Sequence, residues 1–289
     1  MSSTPSNLAD LRRRLDAIDD RLQDLLVERA EIVSMVAVSK KGRNQPALQP
    51  AREAEIIRRI VARHRGPLPV ATLVRMWREM LAATVRLQSP FSVAVLVRPE
   101  RQGCWDLARD HYGSNTPMTT CSSAREVIDN VARGDASAGV LPLPQQGEPD
   151  PWWPDLLSTA ENTPRVIARL PFGAYGNARS EGVDALAIAC GTADHTGFDR
   201  TLLAIECAPE FTRARMVELL AALRLACMSF GSCDYQGTSV GLIEIDGFVP
   251  GSDNRLNELR AEAGPALHRL MPIGGYAVPL PAAALARRD

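Results

Sequence analysis

LADLRRRLDAIDDRLQDLLVERAEIVSMVAVSKK, residues 8–41, sets the reading of the whole chain. Its apolar residues Leu11, Leu15, Ile18, Leu22, Leu25, Leu26, Ile32 and Val36 recur at spacings of three and four, which is one stripe on a helix of period 3.6. The polar side carries Arg12, Arg29 and Lys40. At ~1.5 Å per residue, Arg12 and Arg29 lie roughly 25 Å apart, so one metabolite cannot touch both from a single helix. Either they serve different purposes, or Arg12 reaches into the site of a partner chain. Arg29 and Lys40 are close to three turns apart on one face, about 16 Å along the axis, and their long side chains would grip a small anion between them.

Two further helical stretches run from Arg52 to about Arg65 and from Ala71 to about Leu87. Gly66-Pro67 breaks between them and Ser89-Pro90 ends the second. The loop Pro46–Pro50 is short enough to bring Arg52-Glu53 against Lys40, and Thr84 and Gln88 share a face of the third helix. Three helices so unequal in length leave the long one half bare, and an intertwined dimer cures that. A plain dimerisation arm with solvated i,i+4 ion pairs is the bland alternative. It explains the stripe but not this set of polar groups.

Composition sets the bounds. A chain of 289 residues, 45% hydrophobic, predicts two or three domains with ample cores. No run approaches the ~18 apolar residues of a membrane span, and the opening MSSTPSNLADLRRRL lacks the apolar core of a secretory signal. The six cysteines form no CxxC and the four histidines are isolated, which points to a reducing cytoplasm and to neither a metal site nor a disulfide framework. Residues 1–90 hold 16 Lys and Arg against 10 Asp and Glu, and the rest holds 17 against 24. The basic third has Asp16, Asp19, Asp20, Asp24, Glu28 and Glu31 between its cations, so it presents no continuous basic stripe for nucleic acid.

From Phe91 the texture changes. SVAVLV and SAGVLPLP read as buried strands around two helical stretches, which predicts a parallel α/β sheet. QQGEPDPWWPD reads as a Pro-rich surface loop with Trp152-Trp153 partly exposed. The last stretch gives strand TLLAIEC, helix EFTRARMVELLAALRLA, strands MSFGSCDYQ and SVGLIEIDGF, helix NRLNELRAEAGPALHRL and a strand around GGYAVPL. That βαββαβ order is a ferredoxin-like sandwich.

Residues 8–88 resemble the all-helical chorismate mutase family, on LRRRLDAIDDRLQDLLVERAEI, VSKK, PAREAEI and WREMLAATVRLQ. The resemblance implies a multi-domain chain that starts with an all-α, three-helix domain forming an intertwined dimer. It implies Arg29 and the partner copy's Arg12 on the two carboxylates of chorismate, and Lys40 and Gln88 on the ether oxygen of the breaking bond. Glu53 would hold the ring hydroxyl with Arg52 beside it, and Thr84 would help a carboxylate. Gln49 stands where the family often has an acidic residue. No cofactor is implied. Because Gln88 donates at any pH, activity is expected to persist at and above neutral pH.

The remainder resembles a reduced version of bifunctional chorismate mutase–prephenate dehydratases. SSAREVIDNVARGDASAGVLPLPQQG is similar to the first dehydratase lobe, and the βαββαβ run to the regulatory ACT domain. Asp184-Ala185-Leu186 replaces the catalytic Thr-Arg-Phe triplet and Leu143-Pro144-Gln145 replaces Glu-Asn-Ser, so the resemblance implies a mutase without dehydratase activity. The Gly-Ala-Leu loop and Glu-Ser-Arg-Pro strand that bind phenylalanine are absent. The expected domains are 1–90 (mutase), 91–196 (reduced α/β region) and 197–289 (ACT-like), with higher oligomers through paired ACT-like domains and no membrane or nucleic-acid partner. Two alternatives are an isochorismate-pyruvate lyase on the same scaffold and a non-enzymatic dimeric sensor.

Overall fold

The computed structural model describes residues 7–41, 46–98, 102–176, 183–191, 194–235 and 237–286. The chain forms two compact units, one of residues 1–48 and 83–90, the other of 49–82 and 91–289. Three helices come first: α1 (Leu8–Lys41), α2 (Pro50–Arg63) and α3 (Val70–Gln88), all close to the expected bounds. Pro50 opens α2, where its fixed φ suits the first turn and its missing N–H costs nothing.

The stripe of α1 is exposed in the single chain: Leu11 is 39% accessible, Leu15 58%, Leu22 53% and Leu25 58%. Helix α2 is the opposite case. Its Ala54, Ile57 and Val61 are buried in one cluster with Val70, Val74, Leu81 and Phe172, and Ala277, Leu280, Ala284 and Leu285 pack against it.

The second unit is built on one nine-stranded mixed sheet. Its strands are β1 (Val93–Leu96), β2 (Met118–Cys121), β3 (Ala138–Pro142), β4 (Arg165–Leu170), β5 (Ala185–Ala189), β6 (Asp199–Cys207), β7 (Cys227–Tyr235), β8 (Thr238–Asp246) and β9 (Leu267–Ala277), in the order β2-β1-β3-β5-β4-β9-β6-β8-β7. Strands β2, β1 and β3 are parallel, but β5 runs antiparallel to both β3 and β4. The expected parallel sheet is therefore corrected to a mixed one, because the runs RVIARL and ALAIA add two strands in a hairpin arrangement. Helices α4 (Gly103–Tyr112) and α5 (Ala124–Arg133) belong to this half. Helix α5 is fixed at both ends: Ser123 Oγ accepts from Glu126 N–H, the Glu126 carboxylate accepts from Ser122 N–H, and Gly134 closes the helix in the left-handed region.

The βαββαβ run folds with strand order β9-β6-β8-β7, every neighbour antiparallel, and with α6 (Arg213–Ala222) and α7 (Asn254–Ala263). This is the ferredoxin-like arrangement that the order predicted. Its helices cover a core of Leu203, Ile205, Met216, Leu220, Ile243 and Leu256. Two expectations are corrected here. Helix α7 stops at Ala263, where Gly264 takes φ 63, and the last strand begins at Leu267. Trp152 and Trp153 are each only 4% accessible: they belong to the core between the two halves of the sheet, and Trp152 Nε1 donates to the Pro142 carbonyl at 3.0 Å.

The two half-sheets join where β4 meets β9 at Val166 and Gly274. Gly274 has φ +131, and a Cβ there would lie 2.2 Å from the Val166 carbonyl oxygen, so only glycine permits this approach. The final short helix α8 (Ala282–Leu285) closes over the cluster that holds α2. Among the described residues no helix is long and apolar enough to cross a membrane.

Candidate active site

Five of the eight residues marked from the sequence lie in the first unit. Arg12 is exposed on α1, and Arg29, seventeen residues on, is half-buried, with burial lowering its pKa. At the end of α1, Lys40 Nζ donates to the carbonyls of Pro46 (3.2 Å) and Ala47 (3.5 Å), which places residues 46–47 against that ammonium. On the last turn of α3, Thr84 is buried and Gln88 Nε2 donates to the Thr84 carbonyl at 3.0 Å. Gln88 Oε1 is buried with no hydrogen-bond partner among the described residues. A side-chain amide in that state carries a desolvation penalty of about 1–3 kcal/mol, which a ligand donor would relieve. One amide N–H also remains for an acceptor, since the group has two.

The other three residues open α2 in the second unit. Gln49 is the cap residue, but through its backbone only: its carbonyl accepts from Glu53 N–H at 3.0 Å and its side chain makes no capping bond. Arg52 is exposed in a 2.9 Å pair with Glu55, the solvated i,i+3 arrangement that contributes little. Glu53 is buried, and its Oε2 accepts from Arg78 Nη1 at 3.0 Å.

Arg78 is itself 5% accessible and lies 5.0 Å from the centroid of the Phe172 ring. Its charge bears on its neighbours: burial and then Arg78 hold His111 well below the ordinary imidazole range, and burial and then Glu53 push the Tyr112 hydroxyl up. Removing one partner of a buried ion pair strands the other charge, so Arg78 fixes where the Glu53 carboxylate points.

Arg58 ties α2 down from its other side. It donates to Thr196 Oγ1 (2.8 Å) and to the carbonyls of Phe198 (2.9 Å) and Val278 (2.8 Å), and it stacks between Phe172 (5.7 Å) and Phe198 (5.6 Å). Sequence reasoning passed over Arg58, Arg78 and Phe172. A signal existed for Arg78: it sits in register with Val74, Leu81 and Val85 on the apolar face of α3, where a charge requires a buried partner.

Residues 143–145 and 184–186 lie side by side. Leu143 N–H donates to the Asp184 carbonyl at 3.0 Å, and Leu141 pairs with Leu186 across β3 and β5. Ala185 and Leu186 are buried. Asp184 is held by Arg169 Nη2 at 2.7 Å and by the Tyr175 hydroxyl. No group of three or more His, Cys, Asp or Glu that could hold a metal ion occurs among the described residues.

In the first unit Arg29, Lys40 and Gln88 offer cations and an amide donor, and in the second Arg78 fixes the Glu53 carboxylate. Groups of these kinds can bind a small anion and stabilise developing negative charge.

Comparison with known proteins bears on the same helices. Residues 11–89 match the family model described as chorismate mutase type II. The bifunctional chorismate mutase/prephenate dehydratase of Pseudomonas aeruginosa is 32% identical over 146 residues, which are 49% of this chain and 40% of that protein. The protein of the same description from Aquifex aeolicus is 31% identical over 140 residues, 47% of this chain and 38% of its own. The match thus spans about two fifths of the length of these relatives. The resemblance of the N-terminal region to chorismate mutases, expected from its motifs, is shown by this match. Among solved structures, the prephenate dehydratase of Arthrobacter aurescens in complex with L-Phe is 12% identical, covers 64% of this chain and 89% of its own, and has a TM-score of 0.45.

Proposed function

We propose that the chain is a chorismate mutase, which rearranges chorismate to prephenate without a cofactor. The match of residues 11–89 to the chorismate mutase type II model carries this reading, because it falls on the helices that hold Arg29, Lys40, Glu53 and Gln88. The reaction is pericyclic: one carbon–oxygen bond breaks as one carbon–carbon bond forms, and no proton needs to move. Arg29 and the partner copy's Arg12 would clamp the two carboxylates, with Thr84 assisting, since arginine forks match carboxylates bidentately and fix the folded conformer. Lys40 and the remaining amide N–H of Gln88 would stabilise the charge that develops on the ether oxygen. Glu53, held by Arg78, would accept from the ring hydroxyl beside Arg52, and Gln49 offers that hydroxyl an uncharged neighbour.

Arg12 serves this chemistry only from a second copy, and the exposed stripe of Leu11, Leu15, Leu22 and Leu25 supports a dimer built along α1. We read the rest of the chain as two further domains, 91–196 and 197–289, the first related to prephenate dehydratase and the second ACT-like, through which dimers would pair further. Loss of water and carboxylate from prephenate is not assigned to this chain. At the positions of the dehydratase triplet, Asp184 is engaged by Arg169 and Tyr175, and Ala185 and Leu186 are sheet core. The six free thiols suit a cytoplasmic setting.

Lys40→Ala separates this reading from a dimeric sensor. As a mutase, the variant keeps its dimer in sedimentation and loses about 10²–10³ in kcat, the usual cost of one charge-stabilising donor. Unchanged turnover would remove Lys40 from the mechanism.

A further inference from the structure

A cavity of about 230 Å³ lies in the second unit, between the loop that follows β3 and the ferredoxin-like sheet. Its walls include Trp153, Arg169, Gly231, Glu244 and Tyr276, with Glu148 in the loop. None of these residues belongs to the set assigned to the mutase.

The charges of this cavity are unequal. Arg169 is already committed: it makes the 2.7 Å ion pair with Asp184, and its Nη1 donates to the Tyr276 hydroxyl at 3.4 Å. Glu244 has only neutral donors. Its two oxygens accept from the Tyr276 hydroxyl and from Ser229 Oγ (3.1 Å), and no cation lies within ion-pair distance among the described residues. A carboxylate has roughly four acceptor sites, so about two remain. Glu148 adds a second carboxylate, close enough to Cys233 to help push that thiol up to about 11, after burial as the larger cause. With Asp184 counted against Arg169, Glu244 alone leaves the cavity net negative. Trp153 and Tyr276 add aromatic lining and apolar area.

We propose that this cavity binds a small monovalent organic cation, an amine with an apolar body, whose ammonium group docks on Glu244. The same charge distribution disfavours a dicarboxylate such as prephenate, which would meet the Glu244 carboxylate and an arginine that is already neutralised. Gly231 makes the room. A Cβ built on it meets nothing within 4 Å, and its φ lies outside the left-handed region, so a larger side chain fills the cavity without displacing its walls.

The test uses the full chain and two probes of matched shape, 2-phenylethylamine and 3-phenylpropionate, titrated by calorimetry at neutral pH. The amine is expected to bind saturably at one site and the carboxylate not to saturate. Glu244→Gln, which keeps an acceptor for Tyr276, should weaken the amine by about tenfold or more, the equivalent of losing one charged contact. Gly231→Val, checked for an unchanged melting transition, should abolish binding. The proposal is overturned if the carboxylate binds as tightly as the amine, if neither probe saturates, or if Gly231→Val leaves amine binding intact.

Discussion

Helix α1 leaves Leu15, Leu22 and Leu25 more than half exposed, whereas α2 buries Ala54, Ile57 and Val61 almost completely. Both are amphipathic helices of the segment that matches the chorismate mutase model. The difference lies in what covers them. The apolar face of α2 is covered by the chain's own distant residues, Phe172, Ala277, Leu280 and Leu285, and Arg58 pins it to carbonyls at 198 and 278. For α1 we assign that cover to a second copy. On that assignment one helix is stabilised within the chain and the other through association, so mutations in the two should read out in different experiments.

The sharpest break of this comparison is a matched pair. Ile57→Ala should lower unfolding free energy by about 2–5 kcal/mol at any protein concentration, the cost of a buried side chain deleted from a packed cluster. Leu22→Asp should leave that transition near wild type and instead raise the dissociation constant of the dimer by orders of magnitude in sedimentation. Equal concentration dependence for both would erase the distinction.

Arg58→Met keeps the aliphatic stem and removes three hydrogen bonds. We expect a loss of about 1.5–3 kcal/mol, with earlier hydrogen exchange in α2 than in α7. Uniform loss across both helices would show that Arg58 does not hold α2 in particular.

The buried cation beneath α2 also predicts acid sensitivity. In the folded chain burial and Arg78 keep His111 neutral well below 6.5, while the unfolded chain takes up a proton there. The unfolded state then binds more protons, so stability is retained above 6.5 and falls as pH drops below it, by at most about 1.4 kcal/mol per unit for this one group. His111→Gln should flatten that slope in urea titrations between pH 5 and 7. The smallest effect concerns turnover: because Gln88 carries no titrating proton, kcat should stay level from pH 7 to 9.

The helices were legible because their signals are local. The three-and-four spacing of α1 and the Gly66-Pro67 and Ser89-Pro90 breaks mark their ends within three residues. The βαββαβ order was readable for the same reason. Strand β2 (MTTC) was not, since its burial is uneven and its residues are mostly polar, and only the second part of β9 was read because its start, LHRL, continues the period of the preceding helix. The burial of Trp152 and Trp153 depends on a sheet face that arrives some 50 to 120 residues later, beyond any local pattern. Of the proposed site, the cations Arg12, Arg29 and Lys40 of α1 and the polar pair Thr84 and Gln88 of α3 could be picked by type and spacing. The Arg78–Glu53–Phe172 cluster could not, because it joins three segments whose proximity only the tertiary fold creates.

Incubation of the purified full chain with chorismate, with products separated by chromatography, tests the central claim most directly. The account predicts that chorismate is consumed and prephenate accumulates, with no phenylpyruvate. Chorismate left intact would contradict the mutase assignment, and phenylpyruvate would contradict the reading of residues 143–145 and 184–186.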